Sequence, residues 1–156
     1  MSSKPTLILV PGSWHVPEHF EPMTKLLEAH GYHVVGARLP SNRQTPPWGQ
    51  TCLDDAAAVA ARILTECDAG NDIVLVMHSY GGIPGSSAAK GLLKKDREAH
   101  GLKGGIIGLI YIAAVILDEG TKLWDLLEPY ADKTTGPPWC PVIDVGHVRI
   151  LSFLAR

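Results

Sequence analysis

The sequence predicts an α/β fold, a parallel sheet flanked by helices. Three observations carry this. Four short, largely unbroken apolar runs at residues 6–10, 32–37, 72–77 and 109–114 read as strands covered on both faces. Segments with apolar residues at helical spacing lie between them, and strands joined through helices make right-handed βαβ units. Turn residues stop the runs, with Pro11-Gly12 after the first and Gly81-Gly82 just beyond the third.

Thr6-Leu7-Ile8-Leu9-Val10 is the first strand. Phe20, Met23, Leu26 and Leu27 then recur at helical spacing. Pro17 and Pro22 confine that helix's start to residues 18–21, and Gly31 ends it. Residues 32–37 form the second strand, and residues 39–50, rich in Pro, Ser, Asn and Gln, form a loop. Leu53, Ala57, Ala60, Ile63, Leu64 and Cys67 are expected to be the buried stripe of a long helix. Asp54 and Asp55 stand near its N-terminus, where the helix dipole favours carboxylates. The third strand, 72–77, runs straight into His78-Ser79-Tyr80-Gly81-Gly82, and one helix is expected from there to about Glu98, closed by Gly101. Residues 109–114 are the fourth strand. Beyond Leu117 the patterning weakens: Leu123, Trp124, Leu126 and Leu127 suggest a short helix, residues 134–141 a loop, and 148–154 an apolar stretch of undefined type.

With 156 residues, 46% of them hydrophobic and 19% charged, the chain is sized for one domain with a sizeable core. A net charge of −2 gives no reason to expect nucleic acid or an anionic membrane as partner. The longest apolar run, residues 106–117, is too short to span a bilayer. Met1-Ser2-Ser3-Lys4-Pro5 lacks the apolar stretch of a secretory signal, so the expected compartment is the cytoplasm. Cys52, Cys67 and Cys140 are an odd count at wide spacings, read as reduced thiols rather than a zinc site. No metal and no organic cofactor is expected.

The chemistry is carried by Met77-His78-Ser79-Tyr80-Gly81-Gly82. A nucleophilic serine at a strand tip must turn sharply into a helix, which exposes Oγ and requires small residues two positions away. Gly81 and Gly82 meet this on the helix side, while Met77 stands where the usual G-x-S-x-G pattern has a glycine. The helix N-terminus suits an oxyanion, so the Tyr80 N–H is the first expected donor. A second donor is expected from Pro11-Gly12-Ser13-Trp14-His15, where Gly12 allows a close backbone approach. Ser13 N–H is preferred over Trp14 N–H. Gly12, Trp14 and His15 are expected to border the substrate, and the His78 ring to point into the fold and order backbone.

Three blocks in order, Leu9-Val10-Pro11-Gly12-Ser13-Trp14-His15, residues 74–82 and residues 108–114, resemble those of the small α/β-hydrolases, nearest the esterase and hydroxynitrile-lyase branch that includes hydrolases of secondary metabolism. The resemblance implies serine-dependent hydrolysis of a small, fairly apolar ester or lactone. Hydroxynitrile-lyase or acyltransferase chemistry is the alternative on the same scaffold. It also implies one domain over 1–156, with a core at 5–117 and the start of a cap and a tail at 118–156, the chain being C-terminally truncated. The family's acid and histidine follow its cap. Within this chain the order Ser, Asp, His is kept by Ser79, Asp118 and His147, the substitute acid and base. Without a working pair, the expected role is that of an impaired pseudo-hydrolase binding a ligand or partner. The fourth strand would form an apolar edge, covered by the tail or by a second subunit of a homo-oligomer.

Overall fold

The computed structural model describes residues 4–43, 45–46, 49–127, 142–144 and 149–151. They form two compact units, 1–116 and 117–156. In the first unit the elements run β1 (Thr6–Val10), α1 (Glu21–Ala29), β2 (Val34–Gly36), α2 (Cys52–Asp68), β3 (Asp72–His78), α3 (Gly82–Ala88), α4 (Lys94–Glu98) and β4 (Gly105–Ile112). Short 3-10 turns at Pro17–Phe20, Pro40–Asn42 and Ser79–Gly81 join them.

The sheet is four-stranded and wholly parallel, in the order β2-β1-β3-β4, as expected for this fold class. β1 is buried along its whole length, and alternate residues Ile73, Leu75 and Met77 of β3 are inaccessible. They join Val59, Ile63 and Cys67 of α2 in the main core. Aliphatic strands covered on both faces are what a parallel sheet requires, because the crossover helices lie against it. Putting β1 and β3 at the centre brings the loops after both to one end of the sheet, where ligands bind in open α/β sheets.

Several expected boundaries move. β2 keeps only three residues of the six anticipated, although Leu7 N–H to His33 O and Ala37 N–H to Leu9 O extend its register. The helix expected from Ser79 to Glu98 is two helices. Gly91, at φ +75°, takes a left-handed conformation that a continuous helix cannot contain. β4 begins and ends earlier than anticipated, at Ile112, and Ala113 turns away at φ +44°.

The buried face of α2 is also rotated from its expected position. It runs through Asp55, Ala56, Val59, Ile63, Glu66 and Cys67, while Leu53 is 78% exposed and Leu64 is exposed too. Both Asp54 and Asp55 stand in the first turn as expected, but Asp55 is fully buried and it is Asp54 that caps the helix end. The Asp54 N–H donates to Thr51 Oγ1, and Thr51 N–H returns a 2.7 Å bond to Asp54 Oδ2, a reciprocal N-terminal cap.

β4 is an edge strand of this sheet, and Ile107, Leu109, Ile110 and Ile112 are exposed along it. The second unit contains α5 (Leu123–Leu127) and an antiparallel pair, β5 (Val142–Asp144) with β6 (Arg149–Leu151). The apolar stretch of undefined type thus contains a strand, and β5 had no sequence signal. The loop expected at 134–141 lies outside the described residues. Among the described residues no helix is long and apolar enough to cross a membrane.

Candidate active site

Ser79 follows β3 directly and has φ +52°. Left-handed backbone is costly for a residue with a Cβ and persists only where the surroundings impose it. Three contacts impose it here. The Val115 N–H donates to the Ser79 carbonyl at 3.0 Å, fastening the turn to the segment after β4. At Gly81, a Cβ would lie 2.5 Å from the Pro11 carbonyl oxygen and 2.6 Å from that of Val10. At Gly12, a Cβ would lie 2.9 Å from Ser79 Cβ and 3.2 Å from His78 Nδ1. The β1 loop and the turn after β3 therefore interlock through two glycines, each stationed where the other loop's atoms pass.

Ser79 and Tyr80 stand at the N-terminal end of a 3-10 turn that leads into α3, so their amides have no intrahelical acceptor. On the β1 loop the Trp14 N–H donates to Asn42 Oδ1 at 3.1 Å. Among the described residues the Ser13 N–H has no acceptor. Trp14 itself has φ +60° and is 73% exposed.

Gly12, His15, His78 and Ser79 are brought together. The His15 ring meets the His78 ring edge-on at 5.7 Å and the His19 ring at 5.3 Å, and Phe20 meets His78 at 6.0 Å. His15 Nδ1 donates to the Ser13 carbonyl at 2.8 Å. His78 was expected to order backbone, but its Nδ1 is buried without a hydrogen-bond partner among the described residues. Burial, and then the nearby His15, push its imidazole below the ordinary histidine range, towards the neutral form. A neutral ring suits its packing against Phe20, because a charge there would be poorly solvated.

The other expected residues are placed as follows. Asp118 is exposed in the second unit, where its carbonyl accepts from Thr121 N–H and Oγ1. His147 lies outside the described residues. Among the described residues no cluster of His, Cys, Asp or Glu has the makings of a metal site. Cys52 and Cys67 are free thiols, and burial raises the Cys67 thiol.

Sequence reasoning missed Asn42 and the role of Asp55. The Asp55 carboxylate accepts from Ser41 N–H at 2.8 Å, Ser41 Oγ at 2.6 Å and the Tyr80 hydroxyl at 2.7 Å. Burial, and then this hydrogen bond, push the Tyr80 phenol well above its ordinary value. A phenol held protonated in the folded state contributes stability in full below about pH 10, and that stability is lost as pH rises towards the folded pKa. Tyr80→Phe should therefore flatten the alkaline limb of urea-unfolding midpoints above about pH 10. Parallel limbs for the two proteins would show that Tyr80 ionises alike in both states.

A model of the alpha/beta hydrolase family matches residues 7–154. The alpha/beta hydrolase nvfD of Aspergillus novofumigatus is 40% identical over 126 residues, which is 81% of this chain and 49% of that protein. The probable hydrolase R7 of a Phoma species is 30% identical over 115 residues, 73% of this chain and 44% of that protein. The chain thus spans about half the length of the curated relatives it matches. A solved extracellular alpha/beta-hydrolase from a Paenibacillus species is described as sharing structural and functional homology with tobacco salicylic acid binding protein 2. It matches with a TM-score of 0.64 at 18% identity, over 84% of this chain and 52% of that one, a likeness of fold.

Proposed function

Because the chain belongs to the alpha/beta hydrolase family, we propose that Ser79 is the nucleophile of a serine hydrolase acting on small, fairly apolar esters or lactones. The observation that carries this reading is the left-handed Ser79 at the tip of β3, interlocked with the β1 loop through Gly12 and Gly81. A serine held in that conformation has its Oγ displayed at the turn rather than packed beside the strand. Two of the curated relatives bear hydrolase names, which supports the reaction class.

In the proposed reaction, Ser79 Oγ attacks the ester carbonyl and its proton passes to a base. The carbonyl oxygen becomes an oxyanion between the Tyr80 and Ser13 amides. The alcohol then leaves with a proton, and water attacks the acyl-serine to release the acid. Fixed backbone donors suit this step because they need no reorganisation as charge develops. Gly12, Trp14 and His15 border the substrate in this scheme. His147 and Asp118 are assigned as base and acid on chain order alone.

The test is intact-mass analysis of the folded chain after exposure to a fluorophosphonate. Attack by Ser79 forms an Oγ–P bond, expels fluoride and adds one phosphonyl group. A single adduct on the wild-type chain, absent from Ser79→Ala, is the expected result. A folded wild type that stays unmodified would overturn the reading and leave ligand or partner binding as the use of this site.

A further inference from the structure

The proposed oxyanion hole requires two backbone amides from distant parts of the chain to converge on one oxygen. Ser13 follows β1 and Tyr80 follows β3, and neither lies within a strand. The residues that hold both loops come from a third place, the 3-10 turn Pro40–Asn42 and the first turn of α2.

Asn42 brackets Ser13. Its Nδ2 donates to the Gly12 carbonyl at 2.9 Å and to the His15 carbonyl at 2.8 Å, and its Oδ1 accepts from the Trp14 N–H at 3.1 Å. Two carbonyls at the ends of the loop and one amide between them are held by a single planar group. The peptides on either side of Ser13 cannot rotate without breaking one of these bonds. The same contacts hold Trp14 in its left-handed conformation and occupy the competing amide, leaving Ser13 N–H as the available donor. Only a carboxamide has the donors and the acceptor that this arrangement needs.

Asp55 ties this turn to the nucleophile's own turn. Its carboxylate takes both the N–H and the hydroxyl of Ser41, the residue before Asn42, and also the Tyr80 hydroxyl. An apolar side chain could fill the same buried space without the cost of desolvating a charge, but it would hold neither loop. We propose that Asn42 and Asp55 are positioning residues of the oxyanion hole: Asn42 fixes the Ser13 N–H, and Asp55 locks the turn bearing Asn42 to Tyr80. This inference rests on the reading of Ser79 as nucleophile. The donors and the group that aims them are thereby separate, and no catalytic contact is assigned to either positioning residue.

The experiment measures kinact and KI for the fluorophosphonate with the full chain, comparing wild type, Asn42→Ala, Asn42→Asp, Tyr80→Phe and Ser79→Ala. Displacing one donor should lower kinact for Asn42→Ala about 100-fold, because the phosphoryl oxygen reaches the hole only as the new bond forms. KI should stay within about twofold, since initial binding does not use the hole. A merely structural role would not divide the two constants. Asn42→Asp should be slowed as well, because a carboxylate cannot donate to two carbonyls. Tyr80→Phe removes one bond from Asp55, keeps the ring, and provides a folded variant should Asn42→Ala fail to fold. It should also lower kinact, by a smaller factor. Labelled wild type with Asn42→Asp and Tyr80→Phe reacting at the wild-type kinact would overturn the positioning role while leaving Ser79 as nucleophile. An unlabelled wild type would overturn both readings together.

Discussion

Replacing Ser79 by glycine should abolish fluorophosphonate labelling and raise the unfolding free energy by about 1 kcal/mol. The two effects have separate origins. Loss of Oγ removes the proposed attacking atom, which in a serine hydrolase lowers turnover on the order of a million-fold. The gain in stability comes from the backbone, since φ +52° is strained for serine and ordinary for glycine. Ser79→Ala controls for this, because alanine loses the oxygen but keeps the Cβ and its strain. Urea unfolding of all three proteins would therefore rank Ser79→Gly above both wild type and Ser79→Ala. Equal midpoints for the glycine and alanine variants would mean that the turn stores no strain.

The second large effect is expected at Gly81. Its φ of −55° is open to any residue, so the obstacle to a side chain is space alone. An alanine Cβ would fall 2.5 and 2.6 Å from two consecutive carbonyl oxygens, those of Pro11 and Val10. Backbone at the end of a buried strand cannot swing aside as a side-chain tip can. Gly81→Ala should destabilise the fold by on the order of 3 kcal/mol, more than alanine's better helix propensity recovers. Because Gly12 and Ser13 continue directly from Pro11, the displacement should also slow labelling of Ser79 about 100-fold in the molecules that remain folded. Wild-type stability and labelling together would show that the two loops are not interlocked as described.

The parts of this architecture legible in the sequence are those fixed by near neighbours. β1 was bounded correctly because an apolar run and Pro11-Gly12 are local signals, and the turn at Ser79 was marked by the strand before it and the glycines after it. Where a polar residue faces inward, the pattern misled. Asp55 looked like an ordinary N-terminal carboxylate, and a stripe drawn through apolar residues alone passed over the buried Asp55 and Glu66 and so lay rotated on α2. What satisfies Asp55 is Ser41 and Tyr80, 14 and 25 residues away along the chain and therefore invisible to any periodicity. Asn42 was hidden for the same reason: its partners are 27 to 30 positions distant, and a loop carrying Asn42, Gln44 and Gln50 gives no sign of which amide turns inward. His78 shows the converse error. Its place beside Ser79 on the turn suggested a backbone hydrogen bond, and among the described residues its Nδ1 has no partner.

The parallel order β2-β1-β3-β4 also fixes a sequence of events in time. Every pairing in this sheet joins strands that are separated by a crossover, so contacts between distant residues dominate and formation is slow. β4 is the last strand of the first unit to leave the ribosome. Until it arrives, β3 is the open edge of the growing sheet, paired with β1 on one side and with no strand on the other. The nascent chain therefore passes through a stage in which its longest finished strand offers unpaired amides and carbonyls next to aliphatic side chains. That stage is where competition between correct addition and association with another chain is decided. Its duration is set by the arrival of residues 105–112, whose addition completes the pairing of β3.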